Sequence, residues 1–81
     1  MKTASDLKVG EVIPPPVHEQ KWLKNPLTVI EVTDGYTDKK GKWMYVRCSY
    51  QSPYRPGPEG QSEMKIRVRP ETKIKILQEV A

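Results

Sequence analysis

Two stretches of the chain alternate between apolar and polar residues, and this pattern limits the fold more than any other feature. In residues 43–48 and 63–69 the even positions are apolar, and the odd positions are polar, basic or aromatic. A period of two is typical of a β-strand that is buried on one side. We therefore predict two paired strands whose inner face carries an apolar set, namely Met44, Val46, Cys48, Met64, Ile66 and Val68.

The opposite face of these strands carries cations and aromatic rings, namely Trp43, Tyr45, Arg47, Lys65, Arg67 and Arg69. Antiparallel pairing places Arg47 beside either Lys65 or Arg67. Tyr45 then lies beside Arg67 or Arg69, and the sequence leaves both registers open. Aromatic rings stack on unpaired bases while cations contact phosphates. The surface predicts a nucleic-acid-binding protein of weak sequence specificity that favours single-stranded or flexible forms.

Four further residues extend the predicted binding surface. Lys73 and Lys75 alternate with isoleucines and are expected to continue the basic track on the next strand. Tyr54 and Arg55 lie between two prolines in the loop that joins the alternating strands. A protruding aromatic and cationic pair of this kind can stack on a base or enter a groove.

The same residues also fit a solvated sheet face with no binding role, because Lys and Arg are common on exposed strands. Glu31 belongs to the preceding predicted strand and would lie within reach of Arg47. A pairing of Ile30 with Val46 would set Glu31 opposite Tyr45. An ion pair between Arg47 and Glu31 would then be structural.

The net charge of the chain is +4, and its distribution is uneven. Residues 1–41 hold six lysines and six acidic residues, whereas residues 42–81 hold eight basic residues and four acidic ones. All of the excess positive charge therefore belongs to the second half. A localised basic surface favours an acidic partner, either nucleic acid or an acidic protein surface.

The length of 81 residues predicts a single domain over 1–81, with proline-rich loops at about 14–26 and 52–61. Trp22 and Leu23 are the apolar anchors of the first loop. The second loop is expected to be exposed, mobile and without regular structure. A polar turn is expected at 34–41, and Leu7 and Val9 are expected to close one end of the core. The predicted strands are a short one ending at Ile13, then 27–33 with Ile30 and Val32 inward, 42–51, 62–69 and 73–77 with Ile74 and Ile76 inward.

The fold class is therefore predicted to be all-β. A small five-stranded antiparallel SH3-like barrel fits best, because an open sheet of this size would leave its edges and one apolar face uncovered. An OB-like barrel is the alternative. It normally places a helix between its third and fourth strands, where this chain has a loop rich in proline and glycine.

No residue pattern in the sequence points to an enzyme, a cofactor or a metal site. Cys48 falls on the predicted inner face, His18 follows three prolines, and the carboxylates are scattered singly. The sequence holds no apolar run of the length of a membrane span or a signal peptide, so we expect no membrane association. One cysteine cannot form an intrachain disulfide, and a cytoplasmic location is expected.

A protein-interaction module remains the alternative function. Tyr, Trp and Arg also dominate protein–protein hot spots, so the same face or the Tyr54–Arg55 loop would serve a small accessory or phage-type protein that docks on a larger partner or self-assembles. An exposed edge strand would in addition permit a homodimer. The two functions differ in salt dependence, since binding to nucleic acid releases counterions.

Overall fold

The computed structural model describes residues 1–15 and 25–80. Within these residues it contains six strands, two 3-10 turns and no α-helix. The predicted loop residues His18, Trp22 and Leu23 lie outside the described residues. The strands are β1 (Lys2–Thr3), β2 (Val12–Ile13), β3 (Leu27–Asp38), β4 (Gly41–Gln51), β5 (Gln61–Val68) and β6 (Lys73–Ile74), and the 3-10 turns are Ala4–Asp6 and Pro58–Gly60.

The strands form two antiparallel sheets. Strands β2, β3, β4 and β5 form a curled half-barrel in that order, while β1 pairs with β6 in a separate two-stranded sheet. The predicted all-β class is confirmed. The predicted fifth strand is shorter than 73–77, and it pairs with β1 instead of extending the main sheet beside β5. A closed SH3-like barrel therefore stays a prediction.

Strand β3 is longer than the sequence predicts. The expected turn at 34–41 is wrong, because β3 continues to Asp38 and pairs there with Gly41 across a two-residue turn. A register shift between Asp34 and Thr37 accommodates the polar segment within the strand. Space is tight at Gly35, since an added Cβ would lie 3.0 Å from the Trp43 carbonyl oxygen and 3.1 Å from the Tyr45 ring.

The core lies between the two sheets and uses the predicted inner face of β4 and β5. Val46 and Cys48 are fully buried, and Met64 and Val68 pack against the core from partly buried positions. On β3 the buried residues include Val29, and the prediction of an inward Ile30 is wrong. A register shift between Val29 and Glu31 is the cause, since it moves the inward side chain to Val32.

Leu7 joins the core as expected, but Val9 does not, because its side chain is 61% exposed. The chain turns at Gly10, whose φ of 98° is poorly tolerated by other residues. Glu11 follows and is fully buried, where its carboxylate accepts hydrogen bonds from Lys2 Nζ at 2.8 Å and from the backbone N–H of Lys8 at 2.7 Å. Glu11 thus connects β1 to the start of β2.

Candidate functional site

The odd-numbered residues of β4 and β5 form the outer face of the half-barrel. Strand pairing places Arg47 opposite Lys65 and Tyr45 opposite Arg67, which selects one of the two registers left open by the sequence. Trp43 and Tyr45 are partly buried, whereas Arg47, Lys65 and Arg67 are exposed. Aromatic and basic side chains of neighbouring strands therefore lie side by side on one face.

Three cations of the second alternating stretch lie over aromatic rings. The Lys65 ammonium is 5.1 Å from the centre of the Tyr45 ring. The guanidinium carbons of Arg67 and Arg69 are 4.3 Å and 3.7 Å from the Trp43 ring. Contacts of this kind are favourable, because the negative face of the ring attracts the cation. Two arginines therefore cover part of the Trp43 ring.

Tyr36 belongs to this cluster, although the sequence placed it in a turn. Its ring centre is 6.4 Å from that of Trp43 and 5.9 Å from the Arg67 guanidinium carbon. Arg67 also donates a hydrogen bond to the Tyr36 hydroxyl. The ring is accessible, since Tyr36 is 47% exposed. The adjacent β-formers Tyr36 and Thr37 were the available signal for a strand here, but Asp34-Gly35 favours a turn.

Asp38 neutralises the end of the basic track. Its two carboxylate oxygens accept hydrogen bonds from the Arg69 guanidinium at 3.1 and 3.0 Å, and one of them also accepts the Trp43 indole N–H at 2.8 Å. The Arg69 hydrogen bonds, followed by that of Trp43, hold the pKa of Asp38 well below its usual range. Asp38 is therefore ionised at neutral pH, and its charge offsets that of Arg69.

Arg47 is likewise offset by carboxylates. Its guanidinium lies 3.1 Å from the Glu63 carboxylate and 3.7 Å from that of Glu31. The expected register of Glu31 is wrong, since Glu31 pairs directly with Arg47. In contrast, none of the described carboxylates forms an ion pair with Lys65 or Arg67. The uncompensated positive charge of the outer face therefore lies at Lys65 and Arg67.

The Tyr54–Arg55 loop lies at the opposite end of the β4–β5 hairpin from Trp43. The expectation of a loop without regular structure is wrong, because it contains the 3-10 turn Pro58–Gly60. Its base is held by hydrogen bonds from the Ser52 N–H to the Gly60 carbonyl at 2.8 Å and from the Gln51 amide to the Arg55 carbonyl. Tyr54, at the tip of this loop, is 75% exposed.

Lys73 and Lys75 do not continue the outer face. They line a groove of about 220 Å³ together with Ile66 and Val68, whose side chains point to the inner side of β5. The two lysines are thus separated from Lys65 by the sheet itself. This placement follows from the pairing of β6 with β1, which turns the chain away from the edge of β5.

The cysteine of the chain, Cys48, is buried on the inner face of β4. Burial raises the pKa of the Cys48 thiol to about 11, so this sulfur is not a nucleophile at neutral pH. Among residues 1–15 and 25–80 no three His, Cys, Asp or Glu side chains are grouped as metal ligands. No helix in these ranges has the length and apolar character needed to cross a bilayer.

No protein-family model, curated protein or solved structure matches the chain.

Proposed function

We propose that the outer face binds nucleic acid, with Lys65 and Arg67 contacting phosphates and with Tyr36 and Tyr45 contacting bases. The observation that carries this proposal is the pair of cations that lie over aromatic rings without a carboxylate partner among the described residues. Phosphates would compensate their charge, and the protein would act as a binding module without catalytic chemistry.

The aromatic residues of the face favour single-stranded or flexible nucleic acid over a rigid duplex. A ring presented by a flat strand can stack on a base only when that base is unpaired. Each such stack contributes about 1–3 kcal/mol and depends little on base identity. Two guanidinium groups lie within 4.3 Å of the Trp43 ring centre, whereas each tyrosine ring has one cation, at 5.1 Å for Tyr45 and 5.9 Å for Tyr36. We therefore assign stacking to the tyrosines and expect weak sequence specificity.

The test compares two arginines of the same face. Arg67→Gln removes a cation without an ion-pair partner, whereas Arg47→Gln removes one that is offset by Glu31 and Glu63. Both variants change the net charge equally. We expect Arg67→Gln to weaken binding of labelled single-stranded DNA or RNA about 3- to 10-fold, and to reduce the slope of log affinity against log salt by about 0.7.

Fluorescence anisotropy at several salt concentrations measures the affinity of each variant and its dependence on salt, with the matching duplex as a competitor. A weaker effect of Arg47→Gln would support a local site. Equal losses in the two variants would indicate only a general response to net charge. A folded wild-type protein that binds neither the single-stranded oligonucleotide nor the duplex at about 50 mM salt would refute the proposal, since phosphate binding is strongest at low ionic strength.

A protein-interaction module is the second candidate, and the exposed Tyr54 at the tip of a braced loop favours it. An aromatic residue on a loop whose base is held by hydrogen bonds loses little conformational entropy on binding. Under this alternative, Tyr54→Ala would abolish binding of a protein partner whose affinity changes little with salt. The same variant should leave binding to single-stranded nucleic acid within about twofold.

Two further expectations belong to this proposal. A cytoplasmic location suits a protein with one buried thiol and a nucleic-acid partner. An SH3-like arrangement of five strands, with an OB-like one as the alternative, is the finer fold that we expect around the curled four-stranded sheet. A solution structure of the chain bound to an oligonucleotide would test the strand order and the binding surface together.

A further inference from the structure

The two edges of the four-stranded sheet differ in how they are covered. At one edge the backbone of β2 bonds to the C-terminal segment, with 3.0 Å from the Val12 N–H to the Gln78 carbonyl and 2.7 Å from the Leu77 N–H to the Val12 carbonyl. At the other edge, no described backbone group bonds to β5 (Gln61–Val68) except those of β4. Among residues 1–15 and 25–80, this eight-residue strand therefore presents an edge without a pairing partner.

This edge lacks a proline, a bulge and an inward-pointing charge, three features that commonly block strand pairing. Strand β5 contains no proline, and its register with β4 is free of bulges along its length. Its charged side chains, Glu63, Lys65 and Arg67, all lie on the outer face, so no charge points inward at the edge. Edges of this kind are available for pairing with another strand.

The order of charges on β5 matches a second copy of β5. Centring an antiparallel pair on Met64 places Glu63 opposite Lys65 of the second copy, and symmetry repeats the contact. Centring it on Glu63 would place the two Glu63 carboxylates face to face, and centring it on Lys65 would set Glu63 opposite Arg67 but also the two Lys65 ammonium groups opposite each other. Centring it on Ile66 would set Lys65 against Arg67. The register about Met64 is therefore the symmetric one that makes opposite-charge contacts without a like-charge contact.

We propose that the chain forms a two-fold symmetric dimer in which β5 pairs with β5 of a second copy about Met64. The two four-stranded sheets then join into one, and the partly buried Met64 side chains of the two copies meet on the inner side. One oxygen of Glu63 contacts Arg47 at 3.1 Å, so the carboxylate bridges Arg47 and Lys65 of the second copy. In the dimer, Arg67 is then the proposed phosphate-binding cation that keeps no carboxylate partner among the described residues. Pairing of two identical edges closes at two copies.

A charge-reversal cycle tests this dimer without nucleic acid, so its result is independent of the proposed function. Sedimentation equilibrium of the wild type should give twice the 9.3 kDa of the chain at concentrations from about 10 to 500 µM. Lys65→Glu and Glu63→Lys each create like-charge contacts and should weaken dimerisation about tenfold. The double variant exchanges the two charges and should restore it.

Lys39→Glu is the matched control, because it changes the same charge in the exposed β3–β4 turn, away from the edge of β5. Circular dichroism confirms that each variant is folded. A wild type that stays monomeric throughout the range would overturn the proposal, and so would assemblies larger than two. Single variants that dimerise as well as the wild type, or a double variant without recovery, would exclude the register about Met64.

Discussion

At the scale of a single side chain, Asp38 offsets the positive charge at one end of the outer face. It accepts two hydrogen bonds from Arg69 and one from the Trp43 indole. Asp38→Asn would leave the Arg69 charge without its carboxylate. We therefore predict that this variant binds single-stranded nucleic acid about 3- to 10-fold more tightly at low salt, with the gain disappearing at high salt.

Asp34→Asn provides the control for this prediction, because it removes the same charge from β3 but frees the exposed Lys42 instead of Arg69. Anisotropy titrations of both variants at low and high salt give the comparison. A gain specific to Asp38→Asn would place the bound phosphate near Arg69. Equal gains would show that the overall charge, not the local geometry, controls affinity.

At the level of the strands, the sequence predicts β4 and β5 well and β3 poorly. Period-two alternation defines the faces of β4 and β5, and no bulge disturbs it. Strand β3 instead contains two register shifts, and its polar second half pairs with β4 although Asp34-Gly35 favours a turn. Pairing of this half with Met44, Lys42 and Gly41 of β4 decides the outcome, and the sequence therefore did not assign Tyr36 to the site.

The loop between β4 and β5 depends on the absence of a side chain at Gly60. Gly60 is buried, and an added Cβ would collide with the Arg55 carbonyl and the Gln51 side chain. We predict that Gly60→Ala opens the loop and lowers the free energy of unfolding by about 1–3 kcal/mol. Urea denaturation measures the loss, and faster chymotrypsin cleavage after Tyr54 would report the opened loop.

Gly57→Ala separates steric conflict from backbone strain in this loop. Gly57 has a φ of 78° but open space around its Cα, whereas Gly60 has no positive φ. Gly57→Ala should therefore cost about 1–2 kcal/mol through backbone conformation alone. If Gly60→Ala left both stability and cleavage unchanged, the packing described for the base of the loop would be wrong.

For the molecule as a whole, composition and alternation predict the all-β class but not how the sheets meet. Strands β1 and β2 are too short to give an alternation signal, and the alternation at 73–76 predicts a strand there but not its partner, which is β1. Their positions depend on long-range contacts, among them the buried ion pair between Glu11 and Lys2. The same contacts turned Lys73 and Lys75 away from the outer face.

The Glu11–Lys2 ion pair links the two sheets, so the free energy of unfolding should depend on pH. The hydrogen bond from Lys2 lowers the pKa of Glu11, so the ionised carboxylate is favoured in the folded state. Its contribution to stability is complete above the pKa of an unfolded glutamate, about 4.3, and is lost as the pH falls through the folded-state pKa. We predict that Glu11→Gln destabilises the protein at pH 7 and that this difference shrinks towards about pH 3.

Urea denaturation of the wild type and of Glu11→Gln across this range measures the effect. Glu71→Gln serves as the control, since Glu71 is exposed and its substitution should change stability little at any pH. Lys2 shows the reverse dependence, because the Glu11 hydrogen bond raises its pKa and its contribution is lost only as the pH rises past about 10.4. A difference between wild type and Glu11→Gln that stayed constant from pH 7 to pH 3 would mean that packing of the Glu11 side chain, and not its charge, joins the two sheets.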